Sequence, residues 1–374
     1  ITGLSASNKV YDGSTSGAFT GTAVLNNAIA GDTVTVNTSG AVATFTSADI
    51  GNNITVHITG ITLTGSSASN YSFTQPDLTA NISLQTVTIS GISNITKVYD
   101  GTNVAVLDFS TAVLNGLNSV DSSTVTLDAS SVTSLISDQN VGSGKAITIT
   151  GLKLKGVGAS NYTLTIPTVT ATITAKTLTV SNTSMPFRTY NGKTDPATPV
   201  MGVVNGLVGS ETFTVTATAG QYLSKNVGNT SVGITYSGIS SNYSLAGETI
   251  TATITPATVN VVATVSSKTV AYGSTAPTIA VTYTGWQNGE DSSVLTTQPT
   301  CTSTYSTRSA ANTNQSATCS GAAAQNYIFT YGAADTFTVT QASQLPLLIS
   351  RTTGNSNLVL HPIISGGSGS GGYT

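Results

Sequence analysis

The sequence repeats itself, and that repetition limits its fold more than any other feature. The segment Asn8-Lys9-Val10-Tyr11-Asp12-Gly13 returns as Thr96-Lys97-Val98-Tyr99-Asp100-Gly101, with weaker echoes at Thr189-Tyr190-Asn191-Gly192 and Ala271-Tyr272-Gly273. These tyrosines are 88, 91 and 82 residues apart. A second marker, Asn-Tyr, stands at Asn70-Tyr71, Asn161-Tyr162, Asn242-Tyr243 and Asn326-Tyr327, at intervals of 91, 81 and 84. Two unrelated markers that keep one period mean repeated structural units. The chain of 374 residues thus divides into modules over 1–85, 86–175, 176–256 and 257–342, with a tail over 343–374.

Each module is written in the alternation of β-strands. In Ile54-Thr55-Val56-His57-Ile58, Ala146-Ile147-Thr148-Ile149-Thr150 and Thr251-Ala252-Thr253-Ile254-Thr255, period two puts Val and Ile on a buried face and Thr on the wet one. Clusters of Gly, Asn, Asp and Ser punctuate these runs about every ten residues, as sandwiches require. No segment sustains a helical apolar stripe. The expectation is an all-β chain: four immunoglobulin-like β-sandwich modules in tandem, elongated, each with its own core, ending in a tail of one or two extra strands. Linkers of two to four residues are expected between each module's last strand and the next one's first, which limits hinge freedom.

Charged residues make up 7% of the chain and net charge is −3, so the clustered Lys/Arg that nucleic acid demands is missing. No apolar run approaches the 18 or so residues of a membrane span. The chain starts at Ile1 with no signal-peptide pattern, as expected of a mature or excised segment. Cys301 and Cys319 are its two cysteines. They are read as a disulfide suited to an oxidising exterior, or as two reduced core residues.

The residues quoted above carry a resemblance. The first two modules look like the YDG repeats of large secreted bacterial surface adhesins of the filamentous-haemagglutinin type. Lys-Val-Tyr-Asp-Gly opens the repeat, Val141-Gly142 lies in its middle (Ile50-Gly51 in the first module), and Gly65 to Tyr71 or Gly156 to Tyr162 lies near its end. Modules three and four resemble the related MBG repeats, through Tyr190 to Pro196 and Ala271 to Pro277. The resemblance implies bacterial origin, secretion to the cell surface and a spacer role, with no ligand.

Functional readings of single motifs were weighed against structural ones. Asp12 and Asp100 lack the ladder of oxygens a calcium loop needs. Asp-Gly is turn chemistry instead, with Gly13 and Gly101 taking a conformation other residues avoid and the preceding Tyr packing its ring. The Asn-Tyr tyrosines resemble the tyrosine corner of sandwich domains. Asn70, Asn161 and Asn242 fall in Asn-x-Ser/Thr acceptor sites, which so Ser- and Thr-rich a chain produces by chance. A Lys9–Asn70 isopeptide staple would need Asp12 as its neighbouring carboxylate, and Asp12 is better used in the turn. His57 and His361, in different parts of the chain, offer no repeated catalytic or metal cluster. Trp286 is read as core in preference to a sugar-stacking platform. No catalytic residue, cofactor or metal site is expected.

The functional expectation is a non-catalytic extracellular structural or adhesive stalk. Its partners would be neighbouring modules or subunits of the same protein, with a surface glycan or host ligand as a further possibility, and neither nucleic acid nor membrane insertion. One alternative is a self-assembling filament or sheath subunit in which the tail strands complete a neighbour. Another is a carbohydrate- or host-binding module.

Overall fold

The computed structural model describes residues 1–344, and secondary structure among them is strand apart from three short 3-10 turns, Ala68–Asn70, Ala159–Asn161 and Ser292–Val294. The fold is all-β, a tandem array of β-sandwich modules. The expected tail strands over 345–350 and 357–364, and His361 with them, lie outside the described residues. Two compact units are present among the described residues: Ile1–Thr179 with Gly206–Phe213 and Ile239–Leu245, and Val180–Asn205 with Thr214–Gly238 and residues 246–344. The division falls inside the third module.

In the first unit the second module shows the plan. Gln85–Ser90 pairs antiparallel with Val113–Asn115 and parallel with Tyr162–Thr165. The facing sheet runs in the order Ile95–Val98, Val169–Thr174, Gly142–Thr150, Thr133–Ile136. Alternation is read out as expected: Ile147 and Ile149 are buried, as are Val169, Ala171 and Ile173, while Thr148 and Thr150 face water. The first module repeats the facing sheet with Lys9–Val10, Asp77–Ser83, Gly51–Thr59, Val42–Phe45 and Ser16–Gly17. Its core gathers Phe45, Val56, Ile58, Ala80 and Ile82. His57 points out of that sheet, as an alternating strand requires, and its Nδ1 sits 2.5 Å from Asp77.

In the second unit Gly228–Ser237 pairs antiparallel with Glu248–Thr255, flanked by Thr216–Ala219 and by Arg188–Thr189. The fourth module builds one sheet around Ala257–Val265, between Ile279–Thr284 and Tyr327–Tyr331. The other sheet orders Thr269–Ala271, Asp335–Thr340, Asn314–Ser320 and Thr300–Ser303 over a core of Val265, Val270, Ala317, Phe337 and Val339. Trp286 packs edge-on to Tyr327 at 4.9 Å and beside Tyr283 and Phe329, so its indole belongs to this packing.

Two expectations need correction. The junctions are tighter than expected: a single residue, Leu84, Ala175 or Pro256, separates Ser83 from Gln85, Thr174 from Lys176 and Thr255 from Ala257. The cores are not fully separate either. Tyr11 of the first module and Val87, Val125 and Tyr162 of the second join the first module's buried cluster, and Tyr190 shares a cluster with Ala257, Val259 and Tyr327. Small sandwiches cannot seal their ends alone, and bulky aromatic rings close them against the neighbour.

Cys301 and Cys319 form a disulfide between directly opposed residues of neighbouring antiparallel strands, with Cα atoms 4.0 Å apart. Of the two readings, the bridge holds. It closes a loop over a sequence separation of 18, worth about 3 kcal/mol in the chain-entropy account. Reduction, or replacement of both cysteines by alanine, is expected to lower the calorimetric melting of the fourth module and of the third module clamped to it, with the first two modules little changed.

Candidate functional site at the module junctions

The recurring motif begins by fixing one tyrosine to its own module. The backbone N–H of Tyr11 donates to Ser83 O at 2.8 Å, that of Tyr99 to Thr174 O and that of Tyr190 to Thr255 O, so each ring stands where the last strand leaves for the next module. The following Asp turns the chain. Asp12 Oδ1 accepts from Ser14 N and Asp100 Oδ1 from Thr102 N, each at 2.9 Å, and Lys9 and Lys97 reach back to the same carboxylates. Those ammonium groups also donate to carbonyls, Lys9 to Ser14 O and Ser16 O, Lys97 to Thr102 O and Val104 O. The lysines therefore staple a turn, and the described bonds give Lys9 no path to Asn70. Burial acts to raise the Asp12 and Asp100 carboxyls, but the hydrogen bonds from the lysine ammonium, the backbone N–H and the hydroxyl of Ser14 or Thr102 together outweigh it and hold them below the usual carboxylate range.

The glycine that follows carries two constraints. Gly13, Gly101 and Gly192 share a φ of +76°, a region open to Gly. A Cβ on Gly13 would also meet Val120 Cγ2 at 2.5 Å, and on Gly192 would meet Asn288 Cβ at 2.4 Å, both in the next module.

The Asn-Tyr marker supplies the other half. A tight turn ends on the Asn: Tyr71 N donates to Ala68 O and Tyr243 N to Ser240 O. In the second, third and fourth modules the Tyr then opens a strand, Tyr162–Thr165, Tyr243–Ser244 and Tyr327–Tyr331. Tyr162, Tyr243 and Tyr327 lie beside Gln85, Lys176 and Ala257, in parallel register with the strand that arrives from the preceding module.

At each junction the two tyrosines meet over one carboxylate. Tyr11 and Tyr162 stand edge-on with centroids 5.3 Å apart, and their hydroxyls donate to Asp121 Oδ2 at 2.8 and 2.7 Å. Tyr99 and Tyr243 repeat the arrangement at 5.3 Å over Glu211, donating at 2.5 and 2.6 Å. Tyr190 and Tyr327 do so at 5.4 Å over Glu290, at 2.7 and 2.6 Å. The Asn-Tyr hydroxyl accepts in turn from the backbone N–H three residues before the acid: Asn118, Val208 and Gln287. The Asn side chain locks the other side. Asn161 accepts from Ile50 N, Asn242 from Val141 N and Asn326 from Val227 N, while their Nδ2 groups donate to Asp49, Asn140 and Asn226.

The electrostatics follow from the geometry. Burial, with Asp121 beside it, pushes Tyr11 up to about 12; the hydrogen bond to Glu211, then burial, does the same for Tyr99. Burial and Glu290 push Tyr190 and Tyr327 up to about 12. The hydroxyls of Tyr243 and Tyr99 lower Glu211 in return. Each carboxylate is shared by two hydroxyls from different modules, so the arrangement holds two modules together. Among the described residues no group of three or more His, Cys, Asp or Glu side chains gathers as a metal site would require.

Sequence reasoning singled out both tyrosines and the Asn before the second, but not the bonds that Asn makes nor that all three belong to one site. It missed Asp121, Glu211 and Glu290, which sit 41, 32 and 37 residues before the Asn-Tyr tyrosine they serve. Asn161 is buried, with its side chain spent on the junction.

The YDG domain family matches residues 1–80, 83–171 and 174–252, and the MBG domain family of YGX type matches 261–338. No curated protein matches the chain. The third module, expected among the MBG repeats, is thus a YDG repeat, and its geometry explains why. Asn191 caps its turn as Asp12 does, accepting from Lys193 N; Arg188 donates to Lys193 O and Asp195 O where Lys9 donates to Ser14 O and Ser16 O; and Val227-Gly228 supplies the mid-repeat marker. Tyr272 of the fourth module is 45% exposed, unlike Tyr190 at 1%. With three successive repeats covered in this way, the chain belongs to the YDG domain family and carries an MBG module after its third repeat.

Proposed function

We propose that the chain is a non-catalytic stalk segment of a secreted bacterial surface protein, a series of stiffly joined β modules that carries other parts of an adhesin outward. YDG and MBG domains are repeat modules typical of surface adhesin-like proteins, which supports this reading. The observation that carries it is the junction itself: three one-residue linkers, each closed by the same pair of tyrosines over a shared carboxylate. Repeating a costly buried arrangement at every joint serves alignment, because a flexible linker needs none of it. The disulfide suits an oxidising exterior, and Thr-rich wet faces keep low-charge strands hydrated. Its partners are then the neighbouring modules.

Small-angle scattering tests the proposal. A compact chain of this length has a radius of gyration of about 21 Å. Four modules in line, each at least as long as a ten-residue strand of about 33 Å, give about 40 Å. A monomer near the larger value supports the stalk; a compact monomer, or turnover of a substrate by the purified chain, rejects it.

A further inference from the structure

The first module holds the acceptor half of a junction, and among the described residues no tyrosine end meets it. Tyr71 Oη donates to Asp32 Oδ2 at 2.6 Å and accepts from Ile29 N at 2.8 Å. This is the pattern of Tyr162 with Asp121 and Asn118, of Tyr243 with Glu211 and Val208, and of Tyr327 with Glu290 and Gln287, down to the N–H three residues before the acid. Three things present at the other sites are missing here among the described residues. Asp32 accepts from Tyr71 and, on its other oxygen at 3.2 Å, from Ser67, with no second tyrosine donating to either oxygen. Asn70 makes no side-chain hydrogen bond, where its counterparts each hold a loop of the preceding module. Tyr71 is half-buried, where Tyr162 is 6% exposed.

We infer that the Asp32–Tyr71–Asn70 face of the first module docks the tyrosine end of a further YDG-type module joined in series at Ile1. Three internal junctions define what fills such a face. They require a buried tyrosine at the foot of a Tyr-Asp/Asn-Gly turn to share the acid, and an Asp/Asn-Ile/Val-Gly loop whose N–H meets the Asn. Joining in series is required because the strand beside the Asn-Tyr tyrosine is, each time, the chain arriving from the module that docks. A second copy of this chain does not fit. The tyrosine ends of its YDG modules are occupied, and its remaining end offers Tyr272-Gly273, exposed and without the turn-capping Asp or Asn. The inference rests on the three built junctions and is independent of the surface-stalk reading.

The test places a second copy of residues 1–88 directly before Ile1, which sets the added Tyr11 the Tyr11-to-Tyr99 distance of 88 residues ahead of its counterpart. Two readouts are followed. Hydrogen exchange of the added copy's Asp49–Gly51 amides is expected to slow at least about tenfold relative to an extended chain carrying Asn70→Ala. Asp32→Ala is expected to lower the melting of the extended chain by about 4 °C or more, and to leave the chain without the extension within about 2 °C of its parent, as surface changes do. An added copy that folds but exchanges freely, an Asp32→Ala effect of equal size in both chains, or a copy that does not fold when joined there would each overturn the inference.

Discussion

Asp121→Ala is expected to cost the first junction about 3–5 kcal/mol and to separate the melting of the first two modules. The carboxylate takes hydrogen bonds from Tyr11 and Tyr162, which are 5% and 6% exposed. Bonds to a charged group contribute roughly 1.5–3 kcal/mol each, and a buried hydroxyl stripped of its acceptor bears the desolvation cost in full. Asp121 is itself 7% exposed, so little water is at hand to take its place. Both hydroxyls donate to Oδ2, so Asp121→Asn can keep the shared acceptor but not its charge, and is expected to lose about half as much. Tyr11→Phe removes the donor with the acceptor and is expected to be nearly silent on the Asp121→Ala background, the non-additivity that marks one shared interaction. Calorimetry reads all of these. An Asp121→Ala chain that melts as one transition at the parental temperature would remove the clamp from the account.

The fold was open to reading because its determinants are local and periodic. Ile147, Ile149, Val169 and Ile173 announce their burial by alternation, and Asp12-Gly13 announces a turn by its own chemistry. The clamp was half legible. Tyr11 and Tyr162 each recur at a fixed place in the period, but no local pattern says that one reaches across 110 residues of chain to an acid that serves the other. That acid changes between Asp and Glu and shifts within its loop, so a motif search passes over Asp121, Glu211 and Glu290. One signal was available: in a chain so poor in charge, each of the first four modules places an acid 32 to 41 residues before its Asn-Tyr tyrosine. The third module's identity was missed for a related reason. Asn191 for Asp and Arg188 for Lys alter the letters of the motif but preserve its bonds, because an Asn side chain caps a turn as well as Asp, and a guanidinium reaches the same carbonyls as an ammonium.

Alkali is expected to open every junction within one narrow window. Tyr11, Tyr99, Tyr190 and Tyr327 are pushed up to about 12 from the ordinary 10.0, and Tyr162 and Tyr243 are raised as well. The folded chain therefore holds these protons more tightly than the unfolded chain. A raised value means that the stabilising contribution is complete below pH 10, shrinks as the unfolded tyrosines ionise, and is gone once pH passes about 12. Unfolding in that interval releases up to one proton per clamp tyrosine, and six such groups titrating together make the loss steep. The tyrosinate absorbance of these residues and the near-ultraviolet dichroism of the packed rings should change together. The acid side behaves in the opposite sense and more gently: Glu211 is lowered below its ordinary 4.5, so its contribution stands above that value and fades as pH falls through the depressed one. Substituting phenylalanine at both Tyr11 and Tyr162 should reduce the steepness of the alkaline transition in proportion to the protons removed. Tyrosines that all ionise near 10 while the dichroism holds to pH 12 would mean that the hydroxyl–carboxylate bonds do not bear on the joints.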